Sequence, residues 1–163
     1  MRPRHLIWIL VAALMEGYFL GSLSPGGPAP QLVLVAIFLI ARQLDLKSSL
    51  LAGLWGGLWL DITGLGYFGL RSLWLAAWGA AIYWLGRLGI DLERRLMAAA
   101  VVGTGSLIYN FSLWLAATID SGRWLGLSQF LSQWVVEAML SGGLVALLLR
   151  RPLLTQSTKL RVR

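Results

Sequence analysis

Long apolar runs separated by short polar connections limit most strongly what this chain can fold into. Of its 163 residues, 58% are hydrophobic and 13% are charged, and the mean hydropathy is +0.73. This composition lies outside the range of ordinary soluble domains, and a membrane-spanning helix needs about 20 predominantly apolar residues. The sequence therefore predicts an all-α, polytopic integral membrane protein, in which six transmembrane helices form one bundle and one membrane domain, 1–163. The predicted spans are 6–23, 31–44, 46–62, 67–88, 96–119 and 127–149, followed by a basic C-terminal tail, 150–163.

The lysines and arginines predict the orientation of these spans. Six spans place both termini on one side of the membrane, and twelve of the fourteen basic residues then lie on that side. Only Arg71 and Arg123 lie on the other side. Since cytoplasmic loops carry an excess of lysine and arginine, we expect cytoplasmic N and C termini. A basic start followed by apolar residues is also typical of a signal peptide, but the apolar run continues to Leu23 without a persuasive cleavage site, so we expect the first segment to be retained.

The residues needed for most catalytic or metal sites are scarce. The chain has no cysteine and a single histidine, His5, which disfavours thiolate or imidazole metal clusters and a Ser-His-Asp triad. The glycines around position 53 are not followed by the lysine and serine or threonine of a phosphate-binding loop. We therefore expect a protein that is not an enzyme and binds no cofactor, metal or nucleic acid. The net charge is +7, but the positions of the charges matter more than their sum, because they mark the cytoplasmic side.

A glycine and tryptophan pattern marks the predicted third span and the turn that follows it. On a helix, Gly53, Gly57 and Asp61 fall within about 80° of each other. Trp55 and Trp59 point to the opposite side. A face of nearly bare backbone lets a neighbouring helix approach closely, so this pattern predicts a tightly packed hairpin. A rigid aromatic face beside a glycine groove is also typical of a surface that binds another membrane helix.

The acid at the end of that face has two interpretations. Asp61 and Arg71 lie at the external ends of the hairpin and can meet as an ion pair across the turn. Alternatively, Asp61 caps the turn through its side chain, as short acids do readily. We favour a structural role of this kind over a role in binding a partner or ligand.

Polar residues inside the other predicted spans also require an explanation, because unpaired carboxylates in a membrane are costly. The sixth span carries a polar residue at every fourth position, and Glu16 and Asn110 can complete a polar interior. If the two glutamates meet, we expect at least one to be protonated or hydrogen-bonded. A packed interior is favoured over an open cavity. The candidate polar interior residues are Glu16, Asn110, Gln129, Gln133 and Glu137, with Ser141 continuing the stripe.

The glycine-rich hairpin resembles the MreD family, the membrane subunit of the bacterial rod-shape, or elongasome, machinery. The residues that match this family's pattern are Gly53, Gly57, Asp61, Gly64, Gly69 and Leu70, with Pro30 and Leu32 at the start of the second helix. Two positions depart from the pattern. Gln31 stands where an aspartate is common, and Arg71 stands where a small polar residue is usual.

The resemblance implies a non-enzymatic, multi-pass scaffold of the bacterial inner membrane. Such a subunit binds MreC and helps to organise the RodA glycosyltransferase, its transpeptidase partner and the MreB cytoskeleton in lateral peptidoglycan synthesis and cell shape. Membrane lipids are further expected partners, since basic loops attract anionic headgroups. The candidates for partner binding or a structural role are Gly53, Gly57, Asp61, Gly69, Arg71, Trp55 and Trp59.

Two alternatives to the scaffold remain open. MreD-like proteins are similar in architecture to the substrate-capturing subunits of energy-coupling-factor vitamin transporters, and the polar interior can line a pocket for a small molecule. A less favoured alternative is a proton-coupled carrier that uses Glu16 and Glu137.

Overall fold

The computed structural model describes residues 3–20, 29–63, 68–122 and 127–149, and all secondary structure in this part of the chain is helical. The elements are α1 (Pro3–Leu14) with a π-helical continuation (Met15–Leu20), α2 (Leu32–Ala41), α3 (Leu46–Thr63), α4 (Leu70–Arg87), α5 (Arg95–Ser121) and α6 (Leu127–Leu148). The predicted all-α class is confirmed for these residues. The predicted turn at 63–66 and the basic tail lie almost entirely outside them.

Within the described residues, two helices are long and apolar enough to cross a membrane. They are α5 and the Phe130–Leu148 part of α6. Helix α2 is apolar but has only 10 residues, which corresponds to about 15 Å at 1.5 Å per residue. The hydrocarbon core of a bilayer is about 30 Å thick, so α2 alone covers half of that distance. The predicted second span, 31–44, is therefore shorter as a helix than a full crossing.

This short helix is the centre of the fold. Within the described residues, α2 contacts all five other helices. Val33, Ile37, Phe38 and Ala41 are completely buried. A helix that is hydrophobic on every side is expected to be buried on every side, and α2 is enclosed by protein in this way.

Helices α3 and α4 pack through their backbones and share the most extensive interhelical contact. A Cβ atom on Gly53 would overlap the carbonyl oxygen of Leu75, and one on Gly57 would overlap the Cα of Ser72. Conversely, a Cβ atom on Gly79 of α4 would overlap the carbonyl oxygen of Ser49 in α3. The glycine face of α3 is therefore filled by α4, which is the close approach that small residues permit between membrane helices.

Helices α5 and α6 pack in a similar way, through small residues of α6. A Cβ atom on Gly142 would lie 2.8 Å from the carbonyl oxygen of Ala99. Gly105 of α5 accommodates the indole ring of Trp78, which is buried. Another tryptophan of α4, Trp74, stacks on Trp78 with ring centroids 5.8 Å apart. These aromatic rings belong to the core and join α4 to α5.

The outer faces of α5 and α6 are strongly apolar. Leu96, Ile119 and Met139 are 86%, 73% and 71% exposed. Further exposed aliphatic side chains lie along both helices, among them Ile108 of α5 and Leu147 of α6, and large exposed apolar surfaces are rare on monomeric soluble proteins. Together with the length of α5, this surface is typical of a helical membrane protein.

Candidate functional site

The buried start of α2 is held by polar groups from distant parts of the chain. The first N–H groups of a helix have no partner within the helix. Here the backbone N–H of Val33 donates to Glu16 Oε2 at 2.8 Å, and the backbone N–H of Gln31 donates to Ser141 Oγ at 2.9 Å. Gln31 is only 7% exposed. A carboxylate and a hydroxyl therefore cap α2 in a place where water has little access.

Glu16 reaches α2 from the π-helical segment Met15–Leu20. Single π-turns are rare, and they occur frequently at functional sites. A negative charge at a helix N-terminus is stabilised by the helix dipole, by up to about 2 kcal/mol in partly buried geometries. The geometry thus supplies a physical reason for an acid in an otherwise apolar first segment.

A chain of amide and carboxylate groups continues from Gln31 across the bundle. Gln31 Nε2 donates to Asn110 Oδ1 at 3.2 Å, and Asn110 Nδ2 donates to Glu137 Oε2 at 2.7 Å. The amide of Asn110 is therefore used at both ends and joins α2, α5 and α6. We name the set Glu16, Gln31, Asn110, Glu137 and Ser141 the α2 polar cluster.

This cluster contains three of the five polar interior residues singled out in the sequence. Both glutamates accept hydrogen bonds, although from different donors. Gln133 lies on an exposed position of α6, and the side chain of Gln129 lies outside the described residues. Sequence reasoning missed Gln31 as a site residue. The available signal was its position, since it is the last polar residue before an entirely apolar helix.

A second polar cluster closes the α3–α4 hairpin. Asp61 is buried, and its Oδ2 accepts three hydrogen bonds: from the backbone N–H of Gly69 at 3.0 Å, from the backbone N–H of Ser72 at 3.1 Å and from Ser72 Oγ at 2.6 Å. Gly69 occupies the N-cap position of α4 with a φ of +91°, a conformation that favours glycine. Since glycine has no side chain to cap the helix, Asp61 supplies the cap from the preceding helix.

Arg71 does not pair with this carboxylate. Its Nη1 donates to the carbonyl oxygen of Leu60 at 3.1 Å, near the end of α3. Although Asp61 and Arg71 both lie in the described part of the chain, they form no ion pair there. The ion-pair interpretation is therefore wrong, and the hydrogen bonds match the side-chain cap. The physical reason is that three donors at the start of α4 converge on one oxygen of Asp61.

The glycine and tryptophan faces of α3 have different surroundings. Gly53 and Gly57 are buried against α4, so they are not accessible to a partner helix. Trp55 is 44% exposed and Trp59 is partly buried. Both line an apolar groove of about 230 Å³ with residues of α1, including Leu6. Only the aromatic half of the predicted docking surface is open.

No family model, curated protein or solved structure matches this chain. The function is therefore inferred from the sequence pattern and the geometry of the chain.

The chemistry of the two clusters is that of cross-links between helices. In the described ranges, no group of three or more His, Cys, Asp and Glu side chains is arranged to hold a metal ion. Glu16, Asp61 and Glu137 each accept hydrogen bonds from the protein's own N–H groups. Interhelical hydrogen bonds of this kind stabilise membrane proteins by about 0.6 kcal/mol each on average. The clusters therefore fix the relative positions of helices that are distant in sequence.

Proposed function

We propose that this protein is an MreD-like scaffold of the bacterial inner membrane. It has six membrane segments and cytoplasmic termini, and it acts by holding the helices of partner proteins. Its direct partner is MreC, and through MreC it helps to position RodA, the transpeptidase and MreB during lateral peptidoglycan synthesis. The proposal depends on the resemblance of the hairpin sequence and on the physical features below.

The observation that carries the proposal is the distribution of polar and apolar groups. The carboxylates and amides of the α2 polar cluster are directed inward and are bonded to each other or to backbone groups. The outward faces of α5 and α6 carry exposed aliphatic side chains. A rigid frame with apolar outer faces suits a protein whose task is to position other membrane helices, because such association depends on packing complementarity.

The groove between α1 and α3 is the contact that we assign to the single membrane helix of MreC. It is apolar, and its wall contains Trp55 and Trp59. Tryptophan offers large contact area at a low cost in conformational entropy, which is why it is frequent at binding hot spots. The glycine side of α3 is already occupied by α4, so the tryptophan side is the part of this helix that remains for a partner.

Co-purification tests this assignment. The affinity-tagged chain is co-expressed with MreC, extracted in a mild detergent and purified, and the amount of retained MreC is measured. We expect stoichiometric retention by the wild type and at least a tenfold loss for the double variant Trp55→Ala/Trp59→Ala. Trp84→Ala is the matched control, because Trp84 is also an exposed tryptophan but lies at the end of α4. Failure of the wild type to retain MreC would refute the scaffold proposal.

One observation favours the alternative of a substrate-capturing transporter subunit. Gln31 Oε1 is buried and accepts no hydrogen bond from the described residues, although it lies within a polar cluster. Native mass spectrometry of the purified chain distinguishes the two functions. A metabolite bound at a ratio of one per chain, without retention of MreC, would favour the transporter.

A further inference from the structure

A second site lies between α5 and α6, next to the α2 polar cluster. It is an open cavity of about 240 Å³, and three of its walls are aromatic. The lining residues are Asn110, Leu113, Trp114, Ala117, Phe130 and Trp134. Nothing in the scaffold function accounts for this cavity, so the inference goes beyond that function.

The aromatic walls form one connected group. Trp114 and Trp134 meet edge to face with ring centroids 6.4 Å apart, and Phe130 stacks on Trp134 at 6.1 Å. Both tryptophans are 7% exposed, so the rings are held by their surroundings. Preorganised aromatic faces attract cations through the ring quadrupole, and aromatic cages of this kind recognise quaternary ammonium groups.

A carboxylate lies immediately behind the aromatic walls. Asn110 and Trp114 are four residues apart on α5, and Trp134 and Glu137 are three residues apart on α6, so each pair shares one helix face. One residue of each pair lies further inside the bundle, and these two form a hydrogen bond: Asn110 Nδ2 donates to Glu137 Oε2 at 2.7 Å. The pocket therefore has an aromatic outer layer and an amide and carboxylate inner layer.

The inner layer favours a cation over an anion or a neutral apolar group. Within the described part of the chain, Glu137 forms no ion pair. The amide of Asn110 already uses its donor and its acceptor on Gln31 and Glu137. Gln31 Oε1, the next group inward, is a buried acceptor without a donor among the described residues. A carboxylate without a counter-charge inside a membrane bundle is by default a functional group. Glu137 does not line the cavity itself, but it lies behind Asn110, which does.

From this geometry we infer that the α5–α6 pocket binds an alkylammonium group against Trp114 and Trp134, with the carboxylate of Glu137 behind Asn110. In the proposed orientation, the end of α5 and the start of α6, which form the pocket, lie towards the external face. The ammonium group belongs either to a phospholipid headgroup or to a soluble amine. Both sources present the same chemistry to the pocket, namely a positive charge enclosed by alkyl groups.

Choline is a suitable probe, since its neutral isostere, 3,3-dimethyl-1-butanol, has the same shape without the charge. The full chain is placed in phosphatidylglycerol nanodiscs, and binding of labelled choline is measured with the isostere as competitor. We expect saturable choline binding at a ratio of one per chain, with at least tenfold weaker competition by the isostere. A tenfold change corresponds to about 1.4 kcal/mol, within the range of a desolvated cation–π contact.

Two variants and two matched controls locate the site. Glu137→Gln and Trp134→Leu should each weaken choline binding by about tenfold. Glu93→Gln and Trp84→Leu should leave it unchanged, because both residues are exposed and lie away from the pocket. Unsaturable binding, equal competition by the isostere, or wild-type affinity in the Glu137→Gln variant would each overturn the inference. The comparison of choline with its isostere needs only the wild type, so it remains decisive if a variant does not fold.

Nanodiscs of phosphatidylcholine separate the two sources of the ammonium group. Weaker choline binding in these discs than in phosphatidylglycerol identifies a lipid headgroup as the competitor. Equal binding in both discs identifies a soluble amine. Retention of MreC by the Glu137→Gln variant is measured in parallel, so a failure of the ammonium site is distinguishable from a failure of the scaffold function.

Discussion

Replacement of Asp61 by alanine should destabilise the α3–α4 hairpin strongly. The substitution removes the acceptor of two backbone N–H groups, those of Gly69 and Ser72, and of the Ser72 hydroxyl. A buried donor without an acceptor costs about 1–3 kcal/mol. The hydroxyl can rotate towards another acceptor, but the two backbone groups cannot. We therefore expect the free energy of unfolding to fall by about 3 kcal/mol.

The variant Asp61→Asn separates the contribution of the side chain's shape to the free energy of unfolding from the contribution of its charge. The asparagine side chain keeps one carbonyl oxygen in nearly the same place but loses the stronger, charge-assisted character of the bonds. We expect a loss of about 1 kcal/mol for this variant. A result equal to that of alanine would indicate that the charge itself holds the cap.

Reversible unfolding in mixed micelles measures these differences. The detergent composition is titrated towards dodecyl sulfate, and helix content is followed by circular dichroism. Asp120→Ala is the matched control, because Asp120 is an exposed acid near the end of α5. The Asp61→Ala/Ser72→Ala double variant should be less destabilised than the sum of the single variants, since they share a bond. An Asp61→Ala chain within about 0.5 kcal/mol of the wild type, a typical surface effect, would refute the capping argument.

Three further predictions concern packing, topology and the cap of α2. Gly57→Ala should lower the free energy of unfolding by about 1–3 kcal/mol, because the added methyl group overlaps α4. Gly143→Ala should be neutral or stabilising, because the space around Gly143 is open, and unfolding titrations of both variants test this difference. The chain has no cysteine, so single substitutions can be labelled specifically: Glu93→Cys should react with maleimide only from the cytoplasmic side, and Phe68→Cys only from the external side. The reverse pattern would overturn the proposed orientation. Glu16→Leu should speed hydrogen exchange at the start of α2 by about tenfold, the equivalent of about 1.4 kcal/mol, as measured by mass spectrometry; unchanged exchange would show that the carboxylate does not cap the helix.

The helical segments could be predicted from the sequence because each is an apolar run between breakers or charges. Helix α3 begins at Leu46 as expected and ends at Thr63, one residue beyond the predicted 62. The close approach of α3 and α4 could also be predicted from the sequence, since Gly53 and Gly57 share a helix face. In both cases the signal is local: it depends on residues within one or two turns of each other.

The central position of α2 could not be predicted from the sequence in the same way. A helix that is apolar on every side has no periodicity to indicate whether it faces lipid or protein. Its cap depends on Gln31 and Ser141, which are 110 residues apart. Likewise, Asn110 could be identified as a polar interior residue, but its partners Gln31 and Glu137 lie on two other helices. Only tertiary packing specifies such pairs.

The short central helix also affects how the protein is made. In the proposed membrane protein, an apolar segment of 10 residues is a weak signal for insertion while it leaves the ribosome, since it covers only about half of the bilayer. The hydroxyl that caps its first turn belongs to Ser141 of α6, 110 residues further along the chain. This cap therefore forms only after α6 has been synthesised, and a nascent chain that stops before α6 leaves the backbone N–H of Gln31 without this acceptor.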